Sequence, residues 1–164
     1  MTDTFDKPGH LARRFQQIAV AIFLSEVGRT GSDLTPVQYA ALATIDTHSG
    51  IDQARLAGLI AYDRTTIGGV VDRLVDKGFV TRATNPQDRR ARLLTITPEG
   101  RRTLAMIEPA VEAAQRAMVS GLEPDEAETM LRLMKKAIDA VNDLSRAPLR
   151  ANPPAMTESV AGMK

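Results

Sequence analysis

The run Asp63-Arg-Thr-Thr-Ile-Gly-Gly-Val-Val-Asp-Arg-Leu-Val-Asp-Lys-Gly78 and the change of period that follows it decide the fold. Ile67, Val70, Val71, Leu74 and Val75 recur at i, i+3, i+4, i+7 and i+8, the spacing of one helical face. Asp63 is placed to cap that helix, predicted over Arg64–Lys77, and Gly78 to stop it. Phe79-Val-Thr81 then reads as a short strand, Asn85-Pro-Gln-Asp88 as a turn cluster and Leu93-Leu-Thr-Ile-Thr97 as a second strand. The predicted unit is a helix followed by a hairpin whose loop, Gln87-Asp-Arg-Arg-Ala-Arg92, holds three arginines in four residues.

Upstream, Asp52 caps a short helix predicted over Gln53–Ile60, with Leu56 and Ile60 inward and Ala61-Tyr62 as the turn. Before it, Thr35 caps a helix over Pro36–His48, with Pro36 at its first position and Tyr39, Leu42 and Ile45 on one face. A first helix is predicted over His10–Val27, its apolar positions Leu11, Phe15, Ile18 and Ile22, with Val20 and Phe23 beside them. Downstream, Thr97-Pro98 restarts a long helix that runs to about Ser120. A last helix opens at Asp125 or at Glu123-Pro124 and places Met130, Leu133, Met134, Ile138 and Val141 inward.

The expected fold is mainly α with a small β-hairpin wing. It is a winged helix-turn-helix with dimerisation helices from both termini. The divisions expected are a flexible N-terminus over 1–9, dimerisation helices over 10–35 and 98–145, a winged lobe over 36–97 and a flexible tail over 146–164. Apolar stripes on the terminal helices exceed what one lobe covers, and a second copy of the chain is the economical partner.

Composition bounds the function. The chain has 164 residues, one domain's length, with 43% hydrophobic and 25% charged residues, the balance of a soluble globular protein. Cysteine is absent, which excludes disulfides, thiolate metal sites and thiol nucleophiles. Two histidines, His10 and His48, leave little for a zinc site, so no metal and no cofactor is expected. No apolar run reaches membrane-span length and the first ten residues do not read as a secretory signal, so a cytoplasmic location without membrane attachment is expected. Paired catalytic carboxylates, a Ser/His/Asp set and a phosphate-binding glycine loop are missing, so an enzyme is not expected.

Net charge is +1, but unevenly spread. Residues 1–60 hold five Lys/Arg against six Asp/Glu, 61–102 nine against five, and 103–164 seven against nine. The basic middle coincides with the predicted lobe and suits a polyanion. In a helix-turn-helix the second helix enters the major groove by its N-terminal residues, here Arg64, Thr65 and Thr66. Arg64 can pair with guanine O6 and N7, and the threonines with phosphate or base. Gly68 and Gly69 cost about 1 kcal/mol each relative to Ala in a helix. Either this face closely approaches DNA or a neighbouring helix, or the pair is a tolerated weak spot packed against the third helix. Arg73 and Lys77 either meet phosphates or form a solvated face. Asp88, Arg89, Arg90 and Arg92 form either a minor-groove wing tip, with Asp88 orienting Arg90, or an ordinary charged loop.

Together, Asp63–Gly78 and Asp88-Arg-Arg-Ala-Arg-Leu-Leu-Thr-Ile-Thr-Pro-Glu-Gly100 resemble the MarR family of transcriptional regulators. An Asp-x-Arg wing signature falls on Asp88 and Arg90, and a Leu-Thr-x-x-Gly-like element reads Ile96-Thr-Pro-Glu-Gly100. The resemblance covers about residues 10–145. It implies a homodimer with interlocked terminal helices, a palindromic double-stranded DNA operator, and repression relieved by a small anionic aromatic effector. The chain departs from peroxide-sensing members by lacking a cysteine in the first helix.

Leu34-Thr-Pro-Val-Gln-Tyr-Ala-Ala-Leu42 is similar to members that control aromatic-acid catabolism, which points to a hydroxylated benzoate or pyridine carboxylate. His10, Arg14 and Gln17 share a helix face and form a candidate carboxylate site, with Ile18 as an apolar wall and Tyr39 closing over the ring. Alternatively His10 and Arg14 pair with a partner subunit's acids and Tyr39 belongs to the core. The competing functional reading is a winged-helix protein-interaction module without DNA or ligand regulation.

Overall fold

The computed structural model describes residues 4–89 and 91–150. A 3-10 turn over Thr4–Asp6 leads into α1 (Pro8–Gly28), followed by α2 (Pro36–Thr47), β1 (Ile51–Asp52), α3 (Gln53–Leu59) and α4 (Arg64–Asp76). The wing, β2 (Val80–Thr84) and β3 (Arg92–Ile96), precedes α5 (Pro98–Met118) and α6 (Pro124–Val141). Helix α1 thus begins two residues before the expected start, because Pro8 has the φ a first helical position requires and no N–H to leave unbonded.

Helices α2 to α5 each start where a side-chain oxygen satisfies an unpaired N–H group of the first turn. Thr35 and Gln38 form a reciprocal cap on α2: the Gln38 N–H donates to Thr35 Oγ1 (3.4 Å) and the Thr35 N–H to Gln38 Oε1 (3.1 Å). Asp52 accepts from the Arg55 N–H at 2.8 Å and Asp63 from the Thr66 N–H at 2.9 Å. Thr97 Oγ1 accepts from the Gly100 N–H (3.0 Å) and donates to the Gly78 carbonyl (2.7 Å), so one side chain starts α5 and holds the residue that ended α4. Helix α6 opens at Glu123-Pro124, where the Glu126 carboxylate accepts from the Glu123 N–H at 3.0 Å.

Two helices end in the same left-handed cap with different residues. Gly78 (φ +73°) follows α4, with its N–H on the Val75 carbonyl and the Phe79 N–H on the Leu74 carbonyl, both at 2.9 Å. After α3 the equivalent residue is Ala61 (φ +54°), with Tyr62 N–H on the Ala57 carbonyl at 3.0 Å. This is the tight turn between α3 and α4.

The sheet is three-stranded and antiparallel in the order β1-β3-β2. Ile51 pairs with Leu94, and Val80 with Ile96. The sequence reading has no β1: two residues show no alternation, and Asp52 carries a stronger helix-cap signal. The core is made by Phe23 and Val27 of α1, Leu42 and Ile45 of α2, and Leu56 of α3. To these are added Ile67, Val71 and Leu74 of α4, Leu94 and Ile96 of β3, and Ile107 and Val111 of α5. Helix α6 buries no residue, and Leu11 and Ile18 of α1 are about half exposed.

The first residues of the expected flexible tail, 146–150, fall within the described residues. After a 3-10 turn (Asn142–Leu144), residues 145–150 return to α3, where the Arg150 N–H donates to the Gly58 carbonyl at 2.8 Å. The rest of that expectation, 151–164, and residues 1–3 of the expected flexible N-terminus lie outside the described residues.

Candidate nucleic-acid interface and apolar groove

Helix α4 buries Ile67, Val70, Val71 and Leu74 and leaves Arg64, Thr65, Gly69 and Arg73 exposed. Thr66 is spent locally: its hydroxyl donates to Asp63 Oδ2 at 2.6 Å. That bond, with the Thr66 and Thr65 backbone N–H groups, holds the Asp63 carboxyl below the usual carboxylate range. The two glycines separate. A Cβ on Gly68 would sit 3.4 Å from Gln53 Nε2, an ordinary contact with α3, whereas a Cβ on Gly69 would meet nothing within 4 Å. Packing inside the chain gives Gly69 no reason to be glycine.

Arg64 shares one concavity of about 420 Å³ with Asp52, Gln53 and Ala54 from the start of α3 and Asp88, Ala91 and Arg92 from the wing. The structure thereby brings together three of the sequence-predicted positions, Arg64, Asp88 and Arg92. The wing tip is shaped by its own hydrogen bonds: Gln87 N–H to Asn85 Oδ1 (2.9 Å), Ala91 N–H to the Asp88 carbonyl (2.9 Å) and Asn85 N–H to the Ala91 carbonyl (3.1 Å). The Arg92 guanidinium donates across the hairpin to Thr84. Arg89 is exposed, and Arg90 lies outside the described residues. Among the described residues, Arg64 and Arg73 have no ion pair, which leaves their charge available to a partner.

Two basic residues have structural partners that sequence reasoning assigned otherwise or missed. Lys77, a predicted phosphate contact, instead donates to both carboxylate oxygens of Asp33 at 2.6 Å, tying the end of α4 to the loop before α2. It lies at the far end of α4 from Arg64, where an acid 44 residues away in sequence already neutralises it. Arg82 on β2 pairs with Asp72 on α4 and fixes the wing against the helix beside it. A basic residue in a strand and an acid in a helix carry no periodic signal linking them.

The candidate effector residues do not converge within one chain. Arg14 and Ile18 line an apolar groove of about 670 Å³ between α1 and α6, with Leu11, Phe15, Met130, Met134 and Ile138. Arg14 is exposed and has no ion pair among the described residues. Gln17 accepts from Arg13 at 2.7 Å, and the His10 ring meets Phe5 edge-on with centroids 5.3 Å apart. Tyr39 is elsewhere. It packs on Phe23, nine residues past Arg14 and so about 13 Å along α1 at 1.5 Å per residue. Its hydroxyl donates to Glu108 on α5 at 3.2 Å. Burial, and then the Glu108 and Glu112 charges, push the Tyr39 phenol pKa up. Tyr39 lines a separate hollow of about 370 Å³ with Asp46, Arg101 and Glu108, where Arg101 donates to Asp46 at 2.9 Å. Sequence reasoning missed Arg101 and Glu108, because both are paired across elements.

A helix-turn-helix flanked by an antiparallel wing, with arginines on the exposed helix and hairpin, defines a winged-helix DNA-binding protein. Residues 34–91 match the model of the MarR family. The regulatory protein ascribed to the hcr operon of Thauera aromatica is 35% identical over 127 residues, covering 77% of this chain and 75% of that one. The transcriptional repressor NicR of Pseudomonas putida is 30% identical over 138 residues, covering 84% and 86%. The solved structure of Bordetella bronchiseptica BpsR, whose DNA binding is regulated by 6-hydroxynicotinic acid, superposes with a TM-score of 0.79 at 29% identity, covering 85% and 98%. The chain belongs to the MarR family. Its relatives are transcriptional regulators, so it is a regulator and not an enzyme. Among the described residues no helix is long and apolar enough to cross a membrane, and no cluster of three His, Asp or Glu could hold a metal ion.

Proposed function

We propose that the protein is a homodimeric, ligand-responsive repressor that binds a palindromic operator and is released by a small aromatic carboxylate. It would act in the cytoplasm. The observation that carries the reading is Arg64, without an ion pair among the described residues at the exposed N-terminus of α4 and sharing one concavity with Asp52 and Gln53 and with the wing's Asp88 and Arg92. Arg64 reads base edges, Thr65 and Arg73 position the helix, and Arg89, Arg90 and Arg92 follow the adjacent groove. Gly69, with open space before it, permits close approach of a sugar-phosphate backbone.

The half-exposed apolar residues of α1 and α6 support a dimer, since patches of this kind are uncommon on monomers. A second copy would cover Leu11, Ile18, Leu133 and Ile138 and set the separation of the two α4 helices. Successive major grooves require about 34–36 Å.

BpsR, which responds to an aromatic carboxylic acid, supports the effector class. Arg14, at an apolar groove with Ile18, takes the carboxylate, and His10 or Gln17 takes a ring substituent. A ligand that binds better to a dimer with the wrong helix spacing releases DNA in proportion to that difference in affinity. The test is a gel-shift on the DNA upstream of the chain's own coding sequence, with hydroxybenzoates, hydroxynicotinates and their amides. Release by an acid and not by its amide is expected, with Arg14→Ala binding DNA but no longer responding. An Arg14→Ala protein with unchanged response removes Arg14 from the effector site.

A further inference from the structure

We propose that the segment following α6 is a third DNA-contacting element, which presents Arg146 and Arg150 to the phosphates flanking the α4 site. The inference rests on the DNA-binding reading above and adds a surface that neither α4 nor the wing supplies.

The segment is seated at defined points. The Asn142 side chain brackets Leu149: its Nδ2 donates to the Leu149 carbonyl (3.2 Å) and its Oδ1 accepts from the Leu149 N–H (2.8 Å). Ser145 Oγ accepts from the Ala147 N–H at 3.1 Å, which shapes the turn between them. The Arg150 N–H then reaches the Gly58 carbonyl on α3 at 2.8 Å. Gly58 allows this approach, since a Cβ there would lie 3.1 Å from Arg150 Cβ.

Seated this way, Arg146, Pro148 and Arg150 face Tyr62, Asp63 and Arg64 across a concavity of about 370 Å³. Ala54 and Arg64 also line the concavity on the wing side. The two hollows therefore share Arg64: Arg92 lines the one on the wing side, with Asp52 and Asp88, and Arg146 and Arg150 line the other. Neither tail arginine has an ion pair among the described residues. The one carboxylate in that hollow, Asp63, is already engaged by Thr66 and the first turn of α4. Three cations without an ion pair among the described residues, Arg64, Arg146 and Arg150, around one hollow at the start of a DNA-reading helix suit a polyanion longer than the α4 footprint.

The test is binding of the full chain to a random-sequence 30-base-pair duplex by anisotropy over a NaCl series. Four proteins are compared: unmodified, Arg146→Ala/Arg150→Ala, Asn142→Ala, and Arg64→Ala/Arg92→Ala. Each lost phosphate contact flattens the log K against log salt slope by about 0.9. The tail double variant should therefore flatten it by about 1.8 per bound lobe. Asn142→Ala, which keeps both arginines but frees the segment, should fall between that variant and the unmodified chain. A slope unchanged in the tail double variant, with Arg64→Ala/Arg92→Ala flattened, overturns this inference alone. An unmodified chain with no salt-dependent binding overturns both this inference and the reading beneath it.

Discussion

A Cβ placed on Gly100, in the first turn of α5, would run into the carbonyl oxygen of Phe79 and come within 2.8 Å of Ile96 Cγ1. That carbonyl also accepts the Thr97 N–H at 2.9 Å, so the base of the wing and the start of α5 share one backbone group. Gly100→Ala should therefore force backbone apart and lower stability by about 1–3 kcal/mol, despite alanine's better helix propensity. Urea unfolding checks this. A stabilised Gly100→Ala would mean the junction is looser than described.

Ala61 gives the opposite expectation. It holds the left-handed cap that Gly78 holds after α4, at a cost of about 1–2 kcal/mol for a residue with a Cβ. Ala61→Gly should raise stability by up to about 1 kcal/mol once glycine's greater unfolded-state freedom is subtracted. Thermal unfolding of Ala61→Gly, which should melt higher, checks this.

Lys77 and Arg73 should separate stability from DNA binding. Lys77→Ala removes an exposed pair worth at most about 1 kcal/mol and should leave the salt slope of DNA binding unchanged. Arg73→Ala should leave stability unchanged and flatten that slope by about 0.9 per lobe. The hydrogen bond from Lys77 holds the Asp33 carboxyl below its ordinary value. The pair's contribution is therefore present above the unfolded value of about 3.9 and is lost as pH falls through the lower folded value. The difference in stability between the unmodified chain and Lys77→Ala should shrink in acid.

Tyr39 should titrate late. Its burial and the Glu108 and Glu112 charges disfavour the phenolate, so the stability this adds is present below about pH 10 and is lost as pH rises through the folded value. With only two tyrosines in the chain, absorbance at alkaline pH should show a late component that Tyr39→Phe removes. A titration unaltered by Tyr39→Phe would contradict the packing of Tyr39 between Phe23 and Glu108.

What was legible in the sequence is what short-range chemistry controls. Thr35, Asp52, Asp63 and Thr97 each cap the helix assigned to them, and the Ile67–Leu74 face is the buried one. What was not legible depends on partners distant in sequence. Asp33 is 44 residues from Lys77, Asp46 is 55 from Arg101, and Tyr39 is 69 from Glu108. No hydrophobic period reports such pairs. The seat of Arg150 on Gly58 was hidden by the Pro- and Ala-rich composition of the segment, which reads as loose chain. The helical row of His10, Arg14 and Gln17 was legible, but its supposed companion Tyr39 was not within reach, because face alone says nothing about distance along the helix.

The measurement that bears most directly on the account is the ratio of affinities for the chain's own upstream DNA and for a random duplex of equal length, at one salt concentration near 0.15 M, for the unmodified protein and for Arg64→Ala. Specific sites are typically bound about 10³-fold or more tightly than random DNA, and losing one bidentate base contact costs about 1–3 kcal/mol. The account predicts a strong preference for the upstream duplex that Arg64→Ala reduces by roughly 5- to 150-fold while its random-DNA affinity changes far less. Equal affinity of the unmodified chain for both duplexes, or an equal loss on both in Arg64→Ala, would contradict it.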